Sequence, residues 1–169
     1  IMVLWICENK FGFFRSENLK DWEMTDSIDL ADAWECPDLF RLACGDESIW
    51  VFTSADGFYY LGQFDGYKFR TDGVQHRAYI TNLPYAAQTY SGVEDRVISV
   101  PWLRTHNAGK LYTGMMGLGR ELSLVKRNGK ILLSLLPVRE YEETKETAAE
   151  FALGDDGFVL EMERDAVTE

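Results

Sequence analysis

This sequence is poor in the residues that most metal, redox and nucleophilic sites need. Its 169 residues include three cysteines and two histidines. The cysteines, Cys7, Cys36 and Cys44, form neither a CxxC pair nor a Cys/His spacing typical of metal ligands, so we expect no metal and no cofactor. A nucleophilic dyad of Cys36 with a histidine is disfavoured, and a buried, unreactive thiol is the preferred interpretation.

Two further absences exclude classes of partner. No run of eighteen apolar residues is present, so no membrane-spanning segment is predicted. With 28 acidic and 17 basic residues the net charge is −11. No basic stripe is available to displace the counterions of a nucleic acid or to bind an anionic membrane surface, so we expect neither partner. Most of the acid excess follows residue 139 and says little about a site elsewhere.

Helical periodicity is also nearly absent before residue 140. In its place are short apolar or alternating runs separated by turn signals, a pattern typical of many antiparallel strands. Asp56-Gly57, Asp65-Gly66 and Asn128-Gly129 predict tight hairpins in which both central residues have positive φ. The predicted strands are residues 1–7, 11–16, 39–42, 48–54, 58–64 and 67–71.

Two of these regions repeat each other. Residues 11–23 (FGFFRSENLKDWE) and 57–69 (GFYYLGQFDGYKF) share a Gly-aromatic strand, a polar turn and a closing aromatic. Phe13 and Tyr59 are equivalent, and their separation of about 46 residues matches one four-stranded propeller blade. A fainter third copy lies around residues 110–124. We therefore predict an all-β chain with a β-propeller fold, for which a β-sandwich is the alternative.

The composition changes near residue 140. The stretch that follows, EYEETKETAAE, is charged and compatible with a helix, and FALGDDGFVLEME after it resembles a hairpin. The sequence therefore predicts propeller blades over residues 1–140. Residues 141–169 are predicted to form a connector and the first strands of a C-terminal β unit.

The most informative segment is WECPD, residues 34–38. Glu35 lies between the indole of Trp34 and the thiol of Cys36, and we expect it at the end of a strand. Partial desolvation would favour the protonated form of such a carboxyl group at neutral pH, which is what a glycosidase requires of its general acid. The alternative is an ordinary acid at a strand end that pairs with an arginine.

An ordered set of motifs resembles glycoside hydrolase family 32, the β-fructosidases that include invertases, levanases, inulinases and sucrose-6-phosphate hydrolases. The resemblance covers residues 1 to about 140 and implies about three blades of a five-bladed propeller, followed by the start of a C-terminal β-sandwich. It also implies retaining hydrolysis of β-fructofuranosidic bonds in sucrose, levan or inulin. The motifs are FFRSENLKDWE, WECPDLF, YYLGQFDGYKF, YAAQTYSG, DRVISVPW and GRELSL.

The resemblance also implies roles for single residues. The glutamate of the family's Glu-Cys-Pro motif is the general acid/base, which places Glu35 in that role. Trp102 holds the position of a subsite tryptophan, although a core aromatic is an equally good interpretation. The implied substrate-binding residues are Trp34, Cys36, Asp38, Tyr85 and Trp102.

The chain departs from the family pattern in several places. The family's Trp-Met-Asn-Asp-Pro motif, which holds the nucleophile, and its Arg-Asp-Pro motif do not occur. We therefore expect an internal piece that is inactive alone. Leu83-Pro84 replaces the usual Asp-Phe before Tyr85, which puts the choice of fructoside in doubt. Pro101 replaces a glycine before Trp102, so the backbone there is expected to differ.

Two functions from different classes remain open. The first is the hydrolase, and the alternative is a carbohydrate-binding or structural propeller without catalysis. In both cases the expected ligand is a fructose-containing saccharide. Because an arc of blades exposes sheet edges and apolar surface, we expect the chain to form a homo-oligomer or to associate with the rest of its polypeptide. Reduced cysteines are typical of the cytoplasm, but the family occurs inside and outside cells, so no compartment is predicted.

Overall fold

The computed structural model describes residues 1–144, and this part of the chain is built from antiparallel strands. It contains no α-helix, and so no helix of the length and apolarity needed to cross a membrane. The chain divides into two compact units, Ile1–Arg139 and Glu140–Glu169. All the strands below belong to the first unit. The predicted connector and C-terminal strands fall almost entirely outside the described residues.

Thirteen strands and one 3-10 turn, Arg139–Tyr141, are present in the described range. The strands are β1 (Met2–Cys7), β2 (Lys10–Arg15), β3 (Glu23–Asp29), β4 (Asp38–Cys44), β5 (Glu47–Thr53), β6 (Phe58–Phe64), β7 (Phe69–Thr71), β8 (His76–Arg77), β9 (Pro84–Thr89), β10 (Val97–Leu103), β11 (Met115–Met116), β12 (Arg120–Arg127) and β13 (Lys130–Pro137).

The strands form three antiparallel sheets in chain order. Sheet 1 is β1-β2-β3, sheet 2 is β4-β5-β6-β7, and sheet 3 is β9-β10-β12-β13. The short strand β8 pairs with a part of β6 that β7 leaves unpaired, and β11 pairs with a part of β10 that β12 leaves unpaired. Each short strand continues the position of its neighbour, so sheets 2 and 3 each have four strand positions. The all-β prediction is confirmed. The described residues form three successive sheets, whereas a β-sandwich would have one pair of packed sheets.

Sheet 2 is the middle layer because both of its faces are buried. Val51 and Phe52 are adjacent in β5 and therefore point to opposite faces, yet both are 0% exposed. The ring of Phe52 lies 5.0 Å from that of Phe11 and 6.4 Å from that of Phe13, both in sheet 1. Val51 belongs to a second cluster that includes Leu122 of sheet 3. Apolar burial thus joins the three sheets in series.

The sequence repeat has a structural meaning. Phe13 in β2 packs against sheet 2, whereas its equivalent Tyr59 in β6 belongs to the cluster shared with sheet 3. The hydroxyl of Tyr59 also accepts a hydrogen bond from the Leu133 N–H of β13 at 3.1 Å. Each equivalent aromatic therefore contacts the next sheet. The fainter copy at residues 110–124 begins in a loop, and only its last part lies in β12.

All six predicted strands are present, with ends that differ by at most two residues from the prediction. The turn predictions need correction. Both residues of Asn128-Gly129 have positive φ, as predicted, but at Asp56-Gly57 and Asp65-Gly66 only the glycine does. At the second of these, the Asp65 carboxylate accepts hydrogen bonds from the N–H groups of Tyr67 and Lys68. A side chain that closes a turn in this way removes the need for positive φ at its own position.

Gly57 provides a test of the turn between β5 and β6. Its φ is +76°, and a Cβ atom there would lie 2.2 Å from Cδ2 of Tyr79. At Gly66 the φ is +94°, but a Cβ would meet nothing within 4 Å. We expect Gly66→Ala to cost about 1 kcal/mol of unfolding free energy and Gly57→Ala about 2–4 kcal/mol, because only the second adds a clash. Urea unfolding measures both. Equal losses would contradict the packing of Tyr79 on this turn.

Candidate active site

Three backbone segments meet at one buried residue, Ala55, in the turn between β5 and β6. Its N–H donates to the carbonyl oxygens of both Trp34 and Glu35, each at 3.2 Å. Its own carbonyl accepts a hydrogen bond from the N–H of Ala86 in β9 at 2.8 Å. Ala55 is 0% exposed. The loop that carries Glu35 and the strand that carries Tyr85 are therefore fixed to the same peptide units.

Glu35 lies in the loop between β3 and β4 and not at the end of a strand, which corrects the prediction. Its φ is +51° and that of Cys36 is +38°, in the left-handed region that residues with a Cβ seldom adopt. Asp32 lies in the same loop with a φ of +53°. Strain of this kind persists only where the surroundings enforce it, and here Ala55 does so.

Within residues 1–144, the specific partner of the Glu35 carboxylate is Tyr85 of β9. The Tyr85 hydroxyl donates to Oε2 of Glu35 at 2.5 Å, and the indole of Trp34 is also hydrogen-bonded to this hydroxyl. Burial, and then the hydrogen bond to Glu35, raise the pKa of Tyr85 to about 12. Tyr85 therefore remains protonated, and so remains a hydrogen-bond donor, throughout the physiological pH range. The structure brings together three of the predicted site residues.

Trp102 is the fourth predicted residue at this place. It is paired with Tyr85 across β10 and β9, and the two rings make an edge contact at 6.1 Å and 76°. Trp102 is 38% exposed and Trp34 is 40% exposed. Trp102 is therefore not a core aromatic. Two partly exposed indoles lie around the phenol that binds Glu35, and indole faces are suitable platforms for sugar rings.

A β-bulge orients Tyr85. Tyr85 pairs with Trp102, but Gln88 pairs with Val100, so β9 has one more residue than β10 in this interval. The φ of Ala86 within the bulge is +50°. Pro101 lies opposite, where the interrupted ladder does not require the N–H that proline lacks. The backbone before Trp102 is thus irregular, as the proline predicted.

Asp38, at the start of β4, was predicted to contact substrate, but its carboxylate is occupied by the protein backbone. Oδ2 accepts a hydrogen bond from the N–H of Thr89 at 2.6 Å, and Oδ1 accepts one from the N–H of Leu39 at 2.9 Å. Burial raises the pKa of Asp38 above its usual range, and these hydrogen bonds oppose the rise. Asp38 therefore links the first strands of sheets 2 and 3.

Cys36 also differs from the prediction of a buried thiol. Its side chain is exposed, as is that of Cys7, and only Cys44 is buried. Partial desolvation, together with the negative charge of Glu35, raises the pKa of the Cys36 thiol. A raised pKa disfavours the thiolate, so the local electrostatics do not support a cysteine nucleophile. Its carbonyl accepts a hydrogen bond from Gln88 Nε2 at 3.2 Å.

Sequence reasoning missed Arg104 and Asp56. The Arg104 guanidinium lies 4.2 Å from the centre of the Tyr85 ring, and its Nη2 lies 3.2 Å from Oδ1 of Asp56. One signal was available, because residues two apart in extended backbone share a face, and Arg104, the first residue after β10, follows Trp102 by two. Leu83, the departure that put specificity in doubt, is exposed, and its carbonyl accepts a hydrogen bond from the Arg104 N–H.

The assembled groups suit proton transfer at a sugar. Glu35 provides the carboxyl group, Tyr85 orients it, and Trp34 and Trp102 provide apolar surface beside it. A carboxyl group held in this way can act as a general acid or base. Residues 1–144 contain no cluster of three or more His, Cys, Asp or Glu side chains able to hold a metal ion.

Solved structures share this fold. Exo-inulinase from Aspergillus awamori matches with a TM-score of 0.68 at 24% identity, over 80% of this chain and 32% of that chain. Fructofuranosidase from Schwanniomyces occidentalis, solved with fructose, matches with a TM-score of 0.67 at 26% identity, over 77% and 31% respectively. Both belong to longer polypeptides, of which this chain corresponds to about a third.

Sequence comparison agrees. The levanbiose-producing levanase of Bacillus subtilis (strain 168) is 30% identical over 165 residues, which cover 80% of this chain and 31% of that protein. The fructan beta-fructosidase of Streptococcus mutans serotype c is 29% identical over 161 residues, 79% of this chain and 11% of that protein. The chain thus spans a third or less of the length of these relatives. Residues 4–134 match the model of the glycosyl hydrolases family 32 N-terminal domain, and the chain therefore belongs to glycoside hydrolase family 32.

Proposed function

We propose that the protein containing this chain is a retaining glycoside hydrolase that cleaves β-fructofuranosidic bonds, with Glu35 as its general acid/base. The observation that carries the proposal is the hydrogen bond from Tyr85 to Glu35 between two partly exposed indoles. Family membership and relatives named levanase and fructan beta-fructosidase support this reaction and a fructose-containing saccharide such as sucrose, levan or inulin as substrate.

The geometry suggests how Glu35 works. Tyr85 binds Oε2, so Oε1 is the oxygen left to exchange a proton with the substrate. Glu35 first donates that proton to the glycosidic oxygen as a second carboxylate, supplied from outside residues 1–144, attacks the anomeric carbon and the bond to the leaving group breaks. It then removes a proton from the water that hydrolyses the fructosyl-enzyme. In this proposal Trp34 and Trp102 contact the sugar.

The two remaining predicted substrate contacts take different roles in the proposal. Cys36, exposed beside Glu35, forms part of the wall of the sugar site. Asp38 keeps the Glu35 loop beside β9 through its hydrogen bonds to Leu39 and Thr89, and so acts on substrate indirectly.

The proposal extends to the architecture. Sheets 1 to 3 correspond to about three blades of a five-bladed propeller. The serial packing of the sheets and the match to longer family members support this assignment. Leu4, Trp5 and Ile6 in the edge strand β1 are each at least 40% exposed. This surface supports a homo-oligomer or a contact with further residues of the same polypeptide.

The first prediction concerns Glu35→Gln in the full-length gene product. Glutamine keeps the shape of the side chain and can accept the Tyr85 hydrogen bond, but it cannot donate a proton as an acid. We expect kcat on levan or inulin to fall at least about 10²-fold while KM changes little. Glu47→Gln, an exposed substitution in β5, is the matched control and should leave both constants unchanged. Near-parental turnover by Glu35→Gln would refute the assignment.

The second prediction concerns the 169-residue chain alone, which we expect to be inactive on sucrose, levan and inulin. A retaining mechanism needs a second carboxylate about 5–5.5 Å from the acid. In the described residues, Asp38 is bound to backbone N–H groups and Asp56 to Arg104, so neither is available as the nucleophile. Acid assistance alone supplies about 10²–10⁴-fold, far below enzymatic acceleration.

Assays of released fructose decide this point, with the full-length gene product as the positive control. Robust turnover by the isolated chain would show that it obtains a nucleophile within itself or across an oligomer interface. If the full-length product is also inactive but binds fructan, the alternative function, a non-catalytic carbohydrate-binding or structural propeller, is favoured. The observation that favours this alternative is that the Asp38 carboxylate binds the Thr89 N–H and the Asp56 carboxylate binds Arg104.

A further inference from the structure

Arg104 is more highly constrained than a surface arginine in a simple ion pair. Its Nη2 lies 3.2 Å from Asp56 and donates to the carbonyl oxygen of Asn82 at 2.6 Å, and its Nε donates to the same carbonyl at 2.9 Å. Its backbone N–H donates to the carbonyl of Leu83 at 2.9 Å. The side chain is 36% exposed. Two hydrogen bonds to one carbonyl and an ion pair together fix the plane of the guanidinium.

That fixed plane lies over the Tyr85 ring. The guanidinium carbon is 4.2 Å from the ring centroid, a distance at which a cation is attracted to the face of an aromatic ring. The edge of the Trp102 indole contacts the same ring. The bulge at Ala86 sets the direction in which Tyr85 leaves β9, and these two ring contacts hold the side chain in place. Arg104 and Trp102 together therefore determine where the Tyr85 hydroxyl points.

We propose that Arg104 is a positioning residue for catalysis: it holds the Tyr85 ring so that its hydroxyl orients the Glu35 carboxyl group. The role rests on the function proposed above. Arg104 touches neither Glu35 nor, in this proposal, the substrate. Its effect passes through the ring of Tyr85, and a misplaced proton donor slows the chemical step more than it weakens binding.

The chain offers a matched control in Arg77. This arginine also lies over an aromatic ring, at 5.8 Å from Phe58, and it also bonds Asn82, through the side-chain oxygen at 2.6 Å. Its ring contact is with Phe58 and its hydrogen bond is with the Asn82 side chain, so within residues 1–144 it is not part of the contacts that hold Tyr85. Arg77→Gln therefore removes the same charge and the same kind of stacking from the same neighbourhood while leaving the proposed route to Glu35 intact.

The test is a double-mutant cycle in the full-length gene product, assayed on levan or inulin. We expect Arg104→Gln to lower kcat roughly tenfold with KM within about twofold, and Arg77→Gln to change neither. In a Tyr85→Phe background, Arg104→Gln should cause no further loss, because residues that act through one another are not additive. Arg104→Lys keeps the charge without the planar fork and should give an intermediate kcat.

Other outcomes overturn the proposal. Additive losses in the cycle would mean that Arg104 acts independently of Tyr85, and a raised KM with unchanged kcat would mean that it binds substrate. Wild-type kcat in Arg104→Lys would exclude a role for the stacked guanidinium, and that variant decides the matter if Arg104→Gln does not fold. Glu35→Gln, measured in parallel, separates the two proposals. If it retains turnover, the proposed function and this inference both fail, whereas if it is inactive and the cycle is additive, only the inference fails.

Discussion

The site depends on the peptide groups of one buried residue, Ala55. Its N–H is shared by the carbonyls of Trp34 and Glu35, and its carbonyl is bound by Ala86. A buried backbone group without a partner costs free energy, so these hydrogen bonds are retained in the folded chain. The position of Ala55 therefore sets the positions of the Glu35 loop and of β9. Ala55 in turn lies in the short turn between the two central strands of sheet 2, whose faces pack on both neighbouring sheets. The apolar core of the chain thereby sets the position of a polar loop.

This arrangement explains how strained backbone survives at the site. Glu35, Cys36 and Ala86 all have positive φ, which costs of order 1 kcal/mol or more at each residue with a Cβ. The three residues lie on the two segments that Ala55 binds. Hydrogen bonds from the Thr89 N–H to Asp38 and from the Tyr85 hydroxyl to Glu35 join the same two segments again. Several contacts therefore share the strain, which is concentrated in the two segments that carry Glu35 and Tyr85.

The sequence predicted the parts of this molecule that depend on local signals. Strand rhythm gave all six assigned strands, and the repeat placed Phe13 and Tyr59 at equivalent sheet contacts. The motif around Glu35 predicted the carboxyl group, and the resemblance of two other motifs predicted Tyr85 and Trp102. Positive φ at Glu35 carries no sequence signal, and the bulge beside Tyr85 is visible only in the strand pairing. The hydrogen bond that Asp38 accepts from the Thr89 N–H carries no sequence signal, because it joins residues 51 positions apart in the chain.

A phenol is a suitable partner for a carboxyl group that must both give and take a proton. A cation beside Glu35 would favour the carboxylate and hinder the donation that starts hydrolysis. Tyr85 is neutral, and its pKa of about 12 keeps it neutral in both steps. Among the described residues, the cation Arg104 contacts Tyr85 through the ring face, and its charge is paired with Asp56. In the proposed mechanism Arg104 thus orients the phenol without placing its charge on the acid.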